Sequence, residues 1–89
     1  MQFEFDKSFE KALRKLGNPS ILPAVAAAVA SVRDATMLQD IPNLKKLQGF
    51  STYYRIRLHS DYRIGLELRE DIVWFITIAH RKEIYRVFP

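Results

Sequence analysis

The sequence predicts an α+β fold of order β-α-α-β-β-β, with a helical hairpin packed on one face of a small, mainly antiparallel sheet and a short C-terminal tail or helix. Three observations carry this expectation. The first half contains two stretches of helical period separated by Gly17-Asn18-Pro19-Ser20, the second half contains three runs of strand character, and turn residues bound each run. Eighty-nine residues with 48% apolar content fill one core and are too few for two, so residues 1–89 are taken as a single domain.

Gln2 to Phe5 alternates like a short strand. Asp6 or Ser8 then caps a helix in which Phe9, Leu13 and Leu16 recur at i, i+4 and i+7, leaving Lys7, Lys11, Arg14 and Lys15 mostly on the outer face. Gly17 stops that helix. Ser20 is the expected N-cap of the next one, with Pro23 tolerated in its first turn and Leu22, Val25, Val29 and Val32 facing the core. The remaining face, Ala26, Ala27 and Ala30, is short and scarcely polar, which suits close packing on helix 1 or a docking surface for a partner. Residues 41–50 form a Pro- and Gly-punctuated connection that carries Lys45 and Lys46. Strands are expected at about 53–58, 62–69 and 72–79, the first two joined by a turn at His59-Ser60-Asp61 and the last two by Glu70-Asp71. Ile72 to Ile78, IVWFITI, is apolar at successive positions, as in an interior strand, and Trp74 and Phe75 are assigned to the core.

Charge and composition exclude several classes of function. Lys and Arg number 14 against 10 Asp and Glu, a formal charge of +4 that favours a polyanion or an acidic protein partner. With no cysteine and two histidines outside any carboxylate ligand pattern, neither a metal nor another cofactor is expected. The N-terminus MQFEFDK has no apolar signal region, and the run from Ile21 to Ala30 falls short of the ~20 residues a membrane span needs, so a cytoplasmic chain is expected.

Two clusters carry the chemistry, YYRIRLHSDYR from Tyr53 to Arg63 and AHRKEIY from Ala79 to Tyr85. Side chains alternate along a strand, so Tyr54, Ile56 and Leu58 face one way while Tyr53, Arg55 and Arg57 face the other. Pairing with the next strand brings Arg63 onto the same surface. Guanidiniums crowded together repel one another, and a fold gains little from that unless an anion sits among them. A cationic strand face is often no more than a solvated surface; the register of Arg63 and the HRxxxY tail argue for function here.

These residues carry a family resemblance that spans essentially the whole chain. From the helical hairpin through YYRIRL…YRIG to the closing HRKEIYR, the sequence resembles the RelE/ParE superfamily of toxins from type II toxin–antitoxin modules, and the RelE branch in particular. The resemblance implies a ribosome-dependent endoribonuclease, an mRNA interferase that cuts mRNA in the ribosomal A site. It also implies silencing by a cognate antitoxin, acidic in character and encoded by an adjacent gene, in a toxin–antitoxin hetero-oligomer. By matching motifs, Arg55 and Arg57 fall on the two basic positions of the first hairpin strand, Arg63 on that of the second, and Arg81 and Tyr85 on the C-terminal pair. RelE itself has lysines where this chain has Arg55 and Arg57.

That difference has a chemical consequence. Metal-independent cleavage must deprotonate the 2′-OH, stabilise charge on the in-line phosphorane and protonate the 5′-oxygen. The guanidinium fork suits the second task, but arginine keeps its proton beyond pH ~12 and cannot serve the first. The proton shuttle must lie elsewhere, with His80 the first candidate and Glu67 the second. Tyr85 offers either a proton-bearing hydroxyl or a ring on which an unpaired base stacks. Lys45, Lys46, Lys7, Lys11, Arg14, Lys15, Lys82 and Arg86 are the expected contacts to RNA phosphates, or else simply solubilising charge. Two other readings stay open: a ParE-like protein that inhibits DNA gyrase by binding, and a non-catalytic basic RNA-binding module.

Overall fold

In the computed structural model of the chain, which describes residues 1–59 and 61–89, five strands form one sheet in the order β1-β5-β4-β3-β2. The strands are β1 (Phe3–Phe5), β2 (Leu44–Lys46), β3 (Tyr53–Leu58), β4 (Tyr62–Arg69) and β5 (Ile72–His80). The helices are α1 (Lys7–Leu16), α2 (Leu22–Asp34) and α3 (Ile84–Val87). All neighbouring strands are antiparallel except β1, which runs parallel to β5. The α+β class and the helical hairpin on one sheet face are therefore as the sequence predicts, with β2 an additional edge strand inside the stretch expected to be a connection.

Local chemistry sets the element boundaries. The Asp6 side chain accepts the Ser8 N–H at 3.0 Å, which caps α1, and these Ser8 hydrogen bonds hold the Asp6 carboxyl below the usual carboxylate range. Gly17 ends α1 at φ 58°, a left-handed conformation that glycine adopts without a Cβ penalty. Ser20 is not the cap of the second helix. Asn18 instead accepts the Ser20 N–H at 3.2 Å to cap a 3₁₀ turn, Pro19–Ile21, that runs directly into α2, which itself starts after Ile21 with no side-chain cap. The expected face of α2 is kept at Val25 and Val32, which are buried with Ala28, and at Val29, which packs against the core, whereas Leu22 in the first turn is exposed.

The main core lies between the helices and one sheet face, where Phe9, Val25 and Val32 meet Ile56, Ile64, Leu66, Phe75 and Ile78. A β-bulge in β5 explains why IVWFITI does not alternate. Leu66 pairs with Phe75 but Gly65 pairs with Thr77, so Ile76 is the extra residue and the core-facing set shifts from Val73 and Phe75 to Ile78. Trp74 departs from its expected place in the core. It is half-buried on the opposite face, with the Arg69 guanidinium 4.8 Å above its ring. The Glu70-Asp71 turn has φ of 49° and 67° at its two residues, the double positive φ that matches the twist of a two-residue hairpin. His59 also has a positive φ of 51°, while Ser60, expected in the same turn, lies outside the described residues.

The face away from the helices is not wholly open. Ile84 and Phe88 bury themselves there against Leu47, with Tyr53, Ile76 and Ala79 packed alongside, a second small core that docks α3 on the sheet. Gly65 makes room for it. A Cβ on Gly65 would stand 2.7 Å from Phe88 Cγ, closer than any real contact. Gly65→Ala is therefore expected to cost ~1–3 kcal/mol by overpacking, and Gly65→Ala/Phe88→Leu to recover part of it. Urea unfolding of both variants checks this; a Gly65→Ala protein as stable as the parent would show that Phe88 does not hold α3 down.

Candidate nucleic-acid interface and active site

The second face of β3 and β4 gathers the arginines. Arg57 lies directly across from Arg63, and Arg55 is the next same-face residue on β3, paired with Gly65. Arg81 follows β5 and is tied to the β3–β4 turn, its backbone N–H donating to Asp61 O at 2.7 Å and its Nε lying 3.9 Å from the Asp61 carboxylate. Arg63 is the centre of this group. Burial, first, and then the charges of Arg55, Arg57 and Arg81 pull the Arg63 pKa below the ordinary guanidinium value, while Tyr85 acts in the opposite sense. Its Nη1 also donates to the Tyr62 carbonyl at 2.9 Å, which fixes the direction of the fork.

Tyr85 reaches this group because α3 is pinned on both sides of it. Ile84 and Phe88 are buried, so Tyr85 between them is turned outward and is 63% exposed. The cleft beside it, about 520 Å³, is lined by Lys45, Lys46, Arg55 and Phe50. Lys45 pairs with Arg55 across β2 and β3 and so extends the cationic face by one strand.

Other expected site residues are not brought together here. His80 pairs with Tyr62, whose ring packs on the helix-side core, and the two rings meet edge-on at 5.8 Å. Its Nδ1 accepts the Lys82 N–H at 3.2 Å, a local bond at the strand end. His80 thus faces the helices, and the arginines face away from them. Glu67 does share the arginine face, but it is bound to Arg69 at 2.6 Å, on the far side of Gly65 and the Phe88 ring. Lys7, Lys11, Arg14 and Lys15 are exposed along α1 on the helix side. Lys82 is exposed, and Arg86 on α3 lies 3.6 Å from Glu83. Among the described residues, no group of three or more His, Asp or Glu side chains is positioned to hold a metal ion, and no helix is long and apolar enough to cross a membrane.

Sequence reasoning passed over Phe50 and the Gly65–Phe88 contact. Phe50 stands in a stretch with no periodicity, and Gly65 interrupts an otherwise regular strand. An isolated glycine in a strand signals a bulge or a close approach, and here it is the approach of Phe88.

A family model described as the ParE toxin of the type II toxin–antitoxin system parDE matches residues 3–85. Toxin RelE3 of Methanocaldococcus jannaschii is 34% identical over 90 residues, covering 100% of both chains. Among solved structures, the RelB–RelE antitoxin–toxin complex from Methanococcus jannaschii superposes with a TM-score of 0.75 at 34% identity, covering 96% of this chain and 98% of that one. The E. coli DinJ–YafQ complex gives a TM-score of 0.71 at 12% identity, covering 94% and 97%, a likeness of fold alone.

Proposed function

The chain belongs to the ParE toxin family of type II toxin–antitoxin systems, within the RelE/ParE superfamily, and from that premise we propose that it is a ribosome-dependent endoribonuclease. It acts as a single-domain cytoplasmic toxin that cuts mRNA in the ribosomal A site and so inhibits translation. A cognate antitoxin is its partner, a reading supported by the RelB–RelE complex of the 34% identical relative. The observation that carries the nuclease reading is the grouping of Arg55 and Arg57 with the partly buried Arg63 on one face of β3 and β4, with Arg81 near enough to add to their repulsion and Tyr85 on the cleft beside Arg55. Both burial and repulsion work against the charge on Arg63, and the negative charge of a phosphate arriving among these side chains offsets both.

The reaction balances with these groups. The 2′-oxygen attacks phosphorus, the O2′–P bond forms and the P–O5′ bond breaks, leaving a 2′,3′-cyclic phosphate and a free 5′-OH. The O2′ proton passes to water, and one proton is delivered to O5′. Guanidiniums preorganised around the phosphorane stabilise its extra negative charge at no reorganisation cost. They hold their protons at neutral pH and so transfer none, and His80 on the opposite face is not part of this proposal. The Tyr85 hydroxyl, on the cleft it shares with Arg55, is the proposed proton donor to O5′.

Primer extension on mRNA bound to programmed ribosomes tests the reading. New 5′ ends within A-site codons, absent when ribosomes are omitted, are the expected result. A second reading draws on the family's description as a ParE toxin: inhibition of DNA gyrase by binding. Intact mRNA together with blocked gyrase supercoiling would select that reading instead.

A further inference from the structure

We propose that Phe50 and Tyr85 wall a slot for one unpaired nucleobase of the mRNA, with Lys45 and Arg55 holding the phosphate attached to it; this rests on the ribonuclease reading. Phe50 lies on the loop between β2 and β3, just after Gly49 at φ 85°, and is 44% exposed. A single exposed apolar residue is ordinary in itself. This one lines the cleft of about 520 Å³ that also contains Tyr85, Lys45, Lys46 and Arg55. Aromatic side chains and cations lining one cleft suit a ligand that offers a flat π-face and a negative charge together, which is the chemistry of a nucleotide in a single strand.

The ring is also held in place. Phe50 meets Tyr53 edge-on at 5.6 Å, Tyr53 meets Phe88 edge-on at 5.4 Å, and Phe88 sits directly over Gly65. An aromatic surface ordered before the ligand arrives loses little entropy on binding. Two residues connect this slot to the proposed cleavage site. Arg55 and Tyr85 line the cleft, and Arg55 is the same-face neighbour of the Arg57–Arg63 pair. The base in the slot is therefore next to the scissile phosphate, and the slot fixes which internucleotide bond lies among the guanidiniums.

The test uses a 2′-O-methyl hexaribonucleotide carrying a single 2-aminopurine, which has no free 2′-OH to attack and whose fluorescence is quenched on stacking. Saturable quenching by the parent protein is expected. Phe50→Leu keeps an apolar contact with Tyr53 but removes the π-face, and should weaken binding by about 5- to 150-fold, whereas Phe50→Trp should restore it. Equal quenching by Phe50→Leu, or none by the parent, overturns the slot. Cleavage of ribosome-bound mRNA, followed in parallel, separates the two readings: cleavage without quenching removes only the slot, and Phe50-dependent quenching without cleavage removes only the ribonuclease.

Discussion

Arg63→Ala is expected to lower single-turnover cleavage of ribosome-bound mRNA by about 10²- to 10³-fold, the usual loss for one preorganised donor to a developing oxyanion, without lowering the melting temperature. The two halves of this expectation share a cause. At neutral pH Arg63 is charged in both the folded and the unfolded chain, and its pKa is depressed on folding, so the folded chain binds that proton less well and the charge costs stability. Arg57 directly across the strand pair adds like-charge repulsion, against which the hydrogen bond to the Tyr62 carbonyl is a modest return. Removing the guanidinium should change stability by no more than ~0.5 kcal/mol in the unfavourable direction. Arg63→Lys should recover only part of the rate, because an ammonium keeps the charge and loses the bidentate fork. Thermal melting by circular dichroism alongside the kinetics decides the matter: an Arg63→Ala protein that unfolds early has lost a structural residue, and the assignment fails.

Much of this arrangement is legible in the sequence because it depends on period-two alternation, the strongest local signal a strand carries. Arg55, Arg57 and Arg63 follow from the spacing in YYRIRL and YRIG once the two runs pair, and the observed register keeps that order. What escapes is what depends on contacts distant in sequence. His80 has the right residue type at the right strand end, but the bulge at Ile76 shifts the alternation by one, so a residue counted from Trp74 arrives on the other face. The strand β2 has three residues, too few for a period, and it is recognisable only from its pairing with β3. Ser20 does not cap the second helix because a 3₁₀ turn capped by Asn18 intervenes, and competing cap residues two positions apart are not distinguished by propensity.

The same shift in alternation gives the second large effect, which concerns the proton. Tyr85→Phe removes one oxygen from a ring whose neighbours Ile84 and Phe88 keep α3 docked, so the backbone and the stacking surface should be unchanged. If the hydroxyl carries the proton, the cleavage rate should fall by about 10²- to 10⁴-fold with little change in KM, because the lost interaction is made in the transition state and not in binding. Tyr85→Leu should then lose the same factor in kcat and additionally raise KM through the missing π-face. His80→Gln is the control for the alternative carrier. With its ring edge-on to Tyr62 on the helix-side face, its replacement should alter the rate by less than about 3-fold, and the parent should show no histidine-like inflection between pH ~6 and ~7. An inflection in that window which disappears in His80→Gln would return the proton to His80, and would require the C-terminal segment to rearrange on the ribosome. A Tyr85→Phe enzyme with full kcat would instead leave the arginines acting by electrostatics and positioning alone, with the ribosome supplying the proton path.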